Sequence, residues 1–165
     1  MPGFRCLMPV LLACLLWLPV SVQALQKGEF PPPLSGTTLD GQAFDLEHSR
    51  GRPILLKVGT TWCPSCGEQT EEINKIRAFI DQHDIAYIEV FVQESEKKVR
   101  SFFTRANHRP PEQVVLDQGA IARALNIYVI PRLILIDSGY RVFRDGDPLA
   151  STALKQELEQ MLTEK

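Results

Sequence analysis

The chain has 165 residues, with 18 Lys and Arg against 20 Asp and Glu and a formal net charge of -2. Without a basic stripe or interleaved aromatics, this near balance excludes a nucleic-acid partner. Outside the apolar N-terminus, about 140 residues remain, enough for one domain with its own core and no disulfide framework.

The first 24 residues, MPGFRCLMPVLLACLLWLPVSVQA, carry one early charge, Arg5, then a long apolar run and a small-residue ending. This is the layout of a secretory signal peptide, and Val22-Gln23-Ala24 places the expected cleavage after Ala24. One alternative is an uncleaved membrane anchor, because the apolar run is nearly long enough to span. Another is acylation of Cys14, for which Leu12 fits a lipoprotein signal poorly. All three put residues 25–165 outside the cytoplasm, in a periplasm or its equivalent. Cleavage would remove Cys6 and Cys14 and leave Cys63 and Cys66 as the cysteines of the mature chain.

In chain order, GEFPPP (28–33) is a stiff extended lead-in. Asp40-Gly41 between short alternating runs predicts a hairpin. ILLKV (54–58), bounded by Pro53 and Gly59, predicts a buried strand. A helix follows from Pro64, with Ile73, Ile76 and Ile80 on one face. IAYIEVFV (85–92) predicts a second buried strand, and Val99, Phe102 and Phe103 give residues 95–106 helical spacing. A brief strand (114–116), a short helix (118–125), a strand (133–137), its partner (140–143) after a tight Ser138-Gly139 turn, and a helix (152–162) complete the chain. The pattern describes one central sheet covered by helices.

The stretch Thr60-Thr61-Trp62-Cys63-Pro64-Ser65-Cys66 joins the first buried strand to a helix. Pro64 suits the first helical position, where its missing N–H costs nothing. Cys63 then lies at the helix N-terminus, where free N–H groups and the helix dipole favour a thiolate. Cys66, one turn further in, is expected to be covered and to stay a thiol. That asymmetry suits disulfide exchange, with Cys63 attacking and Cys66 resolving. A structural disulfide across two residues would stabilise little. A c-type haem site needs His where Gly67 stands. Zinc needs a second ligand pair, and His48, His83 and His108 are scattered and expected at the surface. Two thiolates alone can hold Cu(I), so a copper-binding or partner-docking module remains the alternative outside redox catalysis. Pro131, at the entrance to a buried strand, is expected at a strand start, with either a cis or an ordinary trans Ile130-Pro131 bond.

With WCPSC in its strand-turn-helix setting and Val129-Ile130-Pro131 before a later strand, the sequence resembles the thioredoxin superfamily. It is most similar to the extracytoplasmic branch of TlpA, ResA and DsbE-type thiol-disulfide oxidoreductases. The resemblance spans FPPPLSGTTLDGQAFDL, GRPILLKVGTTWCPSC, IEVFVQESEKKVRSFF and VVLDQGAIARALNIYVIPRLILIDSGYRV. It implies a thioredoxin-like α/β fold: a central mixed sheet flanked by helices, with an N-terminal β-hairpin extension and an inserted strand-helix segment. It also implies Cys63 as nucleophile, Cys66 as resolving thiol, Trp62 packed beside the site, and Pro131 as a cis-proline facing the disulfide, with the Ile130 backbone pairing with a bound substrate. The redox-active Cys63-Cys66 disulfide would be the sole redox group, with no further cofactor and no metal. The implied partners are protein thiols and disulfides, in several members the haem-ligating cysteines of apocytochrome c, with electrons from a membrane thiol-disulfide carrier. A monomer is expected.

Several positions depart from the family pattern, and Val58-Gly59-Thr60 replaces the Phe-Trp-Ala that usually precedes the motif. Lys57 stands where thioredoxin has a buried acid and this branch commonly has Asn. Its amine either faces the cysteines and favours thiolate, or escapes to solvent along a packed stem. Gln69 replaces the Glu that ResA-type reductases carry three residues after the second cysteine. Arg132 replaces the usual Thr after the proline, where it would recruit an acidic partner, pair with Glu or face water. The direction of electron flow, reductant or dithiol oxidant, stays open at this level. A peroxidase of the related peroxiredoxin group would need a Pro-x-x-x-Thr-x-x-Cys setting that is absent here.

Overall fold

A computed structural model describes residues 24–106 and 108–164. The expected signal segment, with Cys6 and Cys14, lies outside the described residues except for Ala24. The hairpin forms as predicted, β1 (Ser35–Thr38) pairing with β2 (Ala43–Asp45). Then come β3 (Ile54–Gly59), α1 (Pro64–Lys75), α2 (Arg77–Gln82), β4 (Ala86–Val92), α3 (Glu96–Ala106) and β5 (Gln113–Asp117). The chain continues through α4 (Ala120–Ala124), β6 (Arg132–Ile136), β7 (Val142–Gly146) and α5 (Ser151–Thr163).

The seven strands make one mixed sheet in the order β2-β1-β5-β4-β3-β6-β7. The central β3, β4 and β5 are parallel, and the flanking pairings are antiparallel. Because successive strand side chains point to opposite faces, β3 divides its residues between two cores. Ile54, Leu56 and Val58 join Leu46, Ile88, Val115 and Ile121 on the face covered by α4. Leu55 joins Ile73, Ile76, Ile80, Leu154 and Leu158 beneath α1, α2 and α5. Beside this second face, α3 packs Val99 and Phe103 on Phe91 and Val114.

Two segments differ from the sequence reading. The helix expected through Ile80 divides at Ile76 (φ -108°, ψ 17°), whose N–H donates to Ile73 O at 3.1 Å. The bend keeps Ile73, Ile76 and Ile80 all on the twisted sheet. The final hairpin is offset, because its turn is longer than Ser138-Gly139. Asp137 closes it with its own amide on Arg141 O and its carboxylate on Arg141 N, each at 2.9 Å, while Tyr140 adopts a left-handed φ of 64°. Pairing therefore starts at Ile136 opposite Val142, with a bulge beside Leu135. Among the histidines, His48 and His83 are exposed as expected. His108 is not: its side chain is largely covered, edge-on to Phe102 and 3.8 Å from Glu71.

Candidate active site

The site sits where β3 ends. Because β6 runs antiparallel to β3, with Val58 opposite Arg132, the segment entering β6 meets the segment leaving β3. The first carries Ile130 and Pro131, the second carries Thr60 to Cys63. The Ile130-Pro131 bond is cis. Ile130 lies outside β6, and among the described residues its amide and carbonyl enter no hydrogen bond.

Pro64 opens α1 and Cys63 is its N-cap, the thiol sulfur accepting from the Cys66 amide at 3.3 Å. Both cysteines are buried thiols, Cys66 more completely, at 1% exposure against 8% for Cys63. Burial alone would raise the Cys63 pKa. The Cys66 thiol, the Ser65 hydroxyl (3.3 Å) and the Cys66 N–H, with a smaller contribution from the charge of Lys57, outweigh burial and hold it below its ordinary 9.0. Cys66 moves the other way: burial first, then its hydrogen bond to Cys63, push it to about 12. Helix start and depth thus shift the two thiols in opposite directions.

Gly59 makes this depth available. A Cβ there would lie 2.9 Å from Cys66 Sγ, a distance that real side chains do not adopt. The last residue of β3 has to be glycine for the Cys66 thiol to pack against the strand.

Lys57 does not reach solvent. Its side chain points to the α1 face, is fully buried, and pairs with Glu89 of β4, the residue directly opposite in the parallel register. Lys57 Nζ also donates to Thr70 Oγ1 at 2.5 Å, and Thr70 Oγ1 donates to Cys66 O at 3.1 Å. Tyr87 OH closes the group on the second Glu89 oxygen at 2.9 Å, and burial with the neighbouring carboxylate pushes its phenol well above its ordinary value. Every polar atom of the pair has a partner, which is the condition for a buried ion pair to be tolerated.

Gln69 is buried on α1, but it binds the chain rather than a ligand. Its amide nitrogen donates to Leu149 O at 3.0 Å, and its oxygen accepts from Leu149 N at 2.7 Å. The loop before α5 is fixed beside the cysteine helix by this two-way bond. Arg132 pairs with Asp145 of β7 at 2.5 Å instead of facing a partner or water.

Three residues escaped the sequence reading. Glu89 and Asp145 look like ordinary strand polar residues, and only the register places them opposite Lys57 and beside Arg132. Glu94, in the segment after β4, is 3% exposed and accepts from Thr61 N (3.0 Å) and Thr61 Oγ1 (2.7 Å). It therefore fixes the approach to Cys63. Adjacent parallel β3 and β4 exit on the same side, so a carboxylate just beyond β4 was the available signal.

Three large apolar side chains near this centre are exposed. Trp62 (71% exposed) precedes Cys63, while Tyr128 (77%) and Val129 (67%) precede the cis-proline.

A model of the Redoxin family matches residues 21–148. The chain belongs to the Redoxin family. This Redoxin chain is 26% identical to the thioredoxin-like protein YneN of Bacillus subtilis over 140 residues, covering 84% of the chain and 79% of YneN. It is 22% identical to the thiol-disulfide oxidoreductase ResA of Bacillus thuringiensis over 141 residues, 85% of this chain and 79% of ResA. The thiol:disulfide interchange protein DsbE of Yersinia pestis is 28% identical over 120 residues, 72% of this chain and 62% of DsbE. Among solved structures, a thioredoxin-family thiol:disulfide interchange protein from Chlorobium tepidum superposes with a TM-score of 0.71 at 20% identity, over 84% of this chain and 99% of that one. The fold is thioredoxin-like, and this Redoxin member is a thiol-disulfide oxidoreductase.

Proposed function

We propose that the protein reduces disulfides of other proteins outside the cytoplasm. The reading is carried by the asymmetry between Cys63, held below its ordinary pKa, and Cys66, held at about 12. Cys63 thiolate attacks one sulfur of a substrate disulfide; the new bond joins Cys63 to that sulfur, and the other leaves as a thiolate. Cys66 then attacks Cys63 Sγ, the substrate departs fully reduced, and two electrons have passed from the dithiol to the substrate.

The pKa of Cys66 supports this order. Burial, the largest influence that raises it, remains, but the other two, the hydrogen bond to Cys63 and the Cys63 charge, vanish when Cys63 enters the mixed disulfide. The Thr60 N–H and the charge of Lys57, which favour the thiolate, persist. The pKa of the reserve thiol thereby falls when a substrate is attached. A cis-proline segment with free backbone groups at Ile130 and an apolar rim of Trp62, Tyr128 and Val129 suits an extended polypeptide.

Reduction is favoured over oxidation because the Cys63 thiolate is held mainly by neutral donors, which stabilise the reduced form only modestly. Oxidised apocytochrome c, with its pair of haem-binding cysteines, is a substrate of this class. Re-reduction falls to a thiol-disulfide carrier in the membrane. The test is the reduction potential of the Cys63-Cys66 couple. A value near about -270 mV supports a reductase, and one near about -120 mV identifies a dithiol oxidant.

A further inference from the structure

The chain between the expected cleavage point and the hairpin is tied to β7, an edge strand of the sheet. Gly28 N donates to Val142 O at 2.7 Å and Val142 N to Glu29 O at 2.8 Å. Lys27 pairs with Glu164 at 2.6 Å and covers the Phe143 ring at 4.1 Å. Leu25 packs on the core beneath the sheet. The segment thus covers an edge that would otherwise offer free pairing groups.

At the start of this strap, Leu25 N donates to Asp145 Oδ2 at 2.7 Å. Asp145 is a carboxylate with no side-chain exposure, and its other oxygen accepts from Arg132 Nε at 2.5 Å. Ala24, the residue before, is exposed. The Ala24-Leu25 bond, chosen from the small-residue pattern alone, is therefore the bond whose hydrolysis places a free amine on a buried carboxylate.

We propose that cleavage after Ala24 creates an α-ammonium group at Leu25 that docks on Asp145 and, with Arg132, completes a two-cation clamp joining the mature N-terminus to the strand behind the cis-proline. This rests on the extracytoplasmic reading. A membrane-bound endopeptidase specific for small residues supplies the step: water adds across the Ala24-Leu25 peptide bond, Ala24 leaves as a carboxylate, and Leu25 keeps the amine, which is protonated at neutral pH. A neutral amide donor becomes a charged one, and hydrogen bonds of that kind are about twice as strong. Asp145 is suited to the change, because one guanidinium offsets its charge and its second oxygen is already aimed at Leu25 N.

The test secretes the full chain from a bacterial host and reads the N-terminus of the recovered protein by mass and sequencing, with Leu25 expected first. A second full chain carries one serine inserted after Ala24, so that processing leaves an extra residue ahead of Leu25 and moves the amine off Asp145. Its Tm is expected to fall by roughly 3–6 °C, and the fall should disappear in an Asp145→Asn background. Should Asp145→Asn fail to fold, acylation of the α-amine replaces it, with several-fold slower labelling expected for the Leu25 terminus than for the serine-extended one. A first residue other than Leu25, an equal Tm for the two chains, or equal labelling rates overturns the proposal. An unprocessed chain that still exchanges disulfides overturns the clamp while leaving the redox reading intact.

Discussion

Lys57 and Glu89 stand directly opposite one another on parallel β3 and β4 and pair in full burial beneath the helix that carries both cysteines. Thr70 links the pair to the backbone of Cys66. Removing one partner leaves an uncompensated buried charge, so Lys57→Met or Glu89→Leu alone should lose about 3–5 kcal/mol in chemical denaturation. The double substitution should recover most of that loss. Lys57 also favours thiolate at Cys63, so in the double variant Cys63 should titrate at higher pH than in the parent.

The two thiols should separate in alkylation. Cys63 is expected to react with iodoacetamide with a midpoint below 9.0, while Cys66 stays protected until the pH approaches about 12. Replacing Cys63 with Ala removes the hydrogen bond and charge that raise Cys66, and the Cys66 midpoint should fall. The same shift governs stability. Because the folded pKa of Cys66 is raised from an ordinary 9.0 to about 12, its contribution is full below pH 9.0 and is lost as pH rises towards 12. Urea melts of the reduced protein across that window check the sign.

Gly59→Ala places a methyl group 2.9 Å from Cys66 Sγ. Either the thiol or the start of α1 must move, at a cost of roughly 1–3 kcal/mol. The resolving step should slow more than the first attack, seen as mixed disulfide persisting in single-turnover assays.

Gln69→Ala breaks both hydrogen bonds to Leu149 and should cost about 1–3 kcal/mol. Gln69→Glu keeps the acceptor but loses the donor to Leu149 O, so the substitution that restores the ResA-type residue should also destabilise. Thermal melts of the two variants decide whether this side chain clamps the loop as the structure indicates.

The fold was largely legible because its signals are local. The short apolar runs at 54–58 and 85–92, the shift to helical spacing after Cys63 and the Asp40-Gly41 turn each act within a few residues. The Cys63-Cys66 asymmetry was legible for the same reason, since helix-end chemistry needs only the motif and its flanks. What escaped depends on pairing across the sheet. Lys57 left two readings open until β4 placed Glu89 opposite it. Arg132 had three, and its partner sits on a strand whose register was itself offset by the Asp137 turn. Gln69 was legible only as a departure from the ResA-type Glu, because its partner is 80 residues away.

The central claim is that Cys63 attacks and Cys66 resolves. It is tested most directly by presenting a disulfide-bonded protein substrate to the reduced Cys66→Ser and Cys63→Ser variants and mapping any covalent adduct by mass spectrometry. A persistent mixed disulfide is expected on Cys63 in the Cys66→Ser variant and none in the Cys63→Ser variant. Equal trapping by both, or no adduct in either, would contradict it.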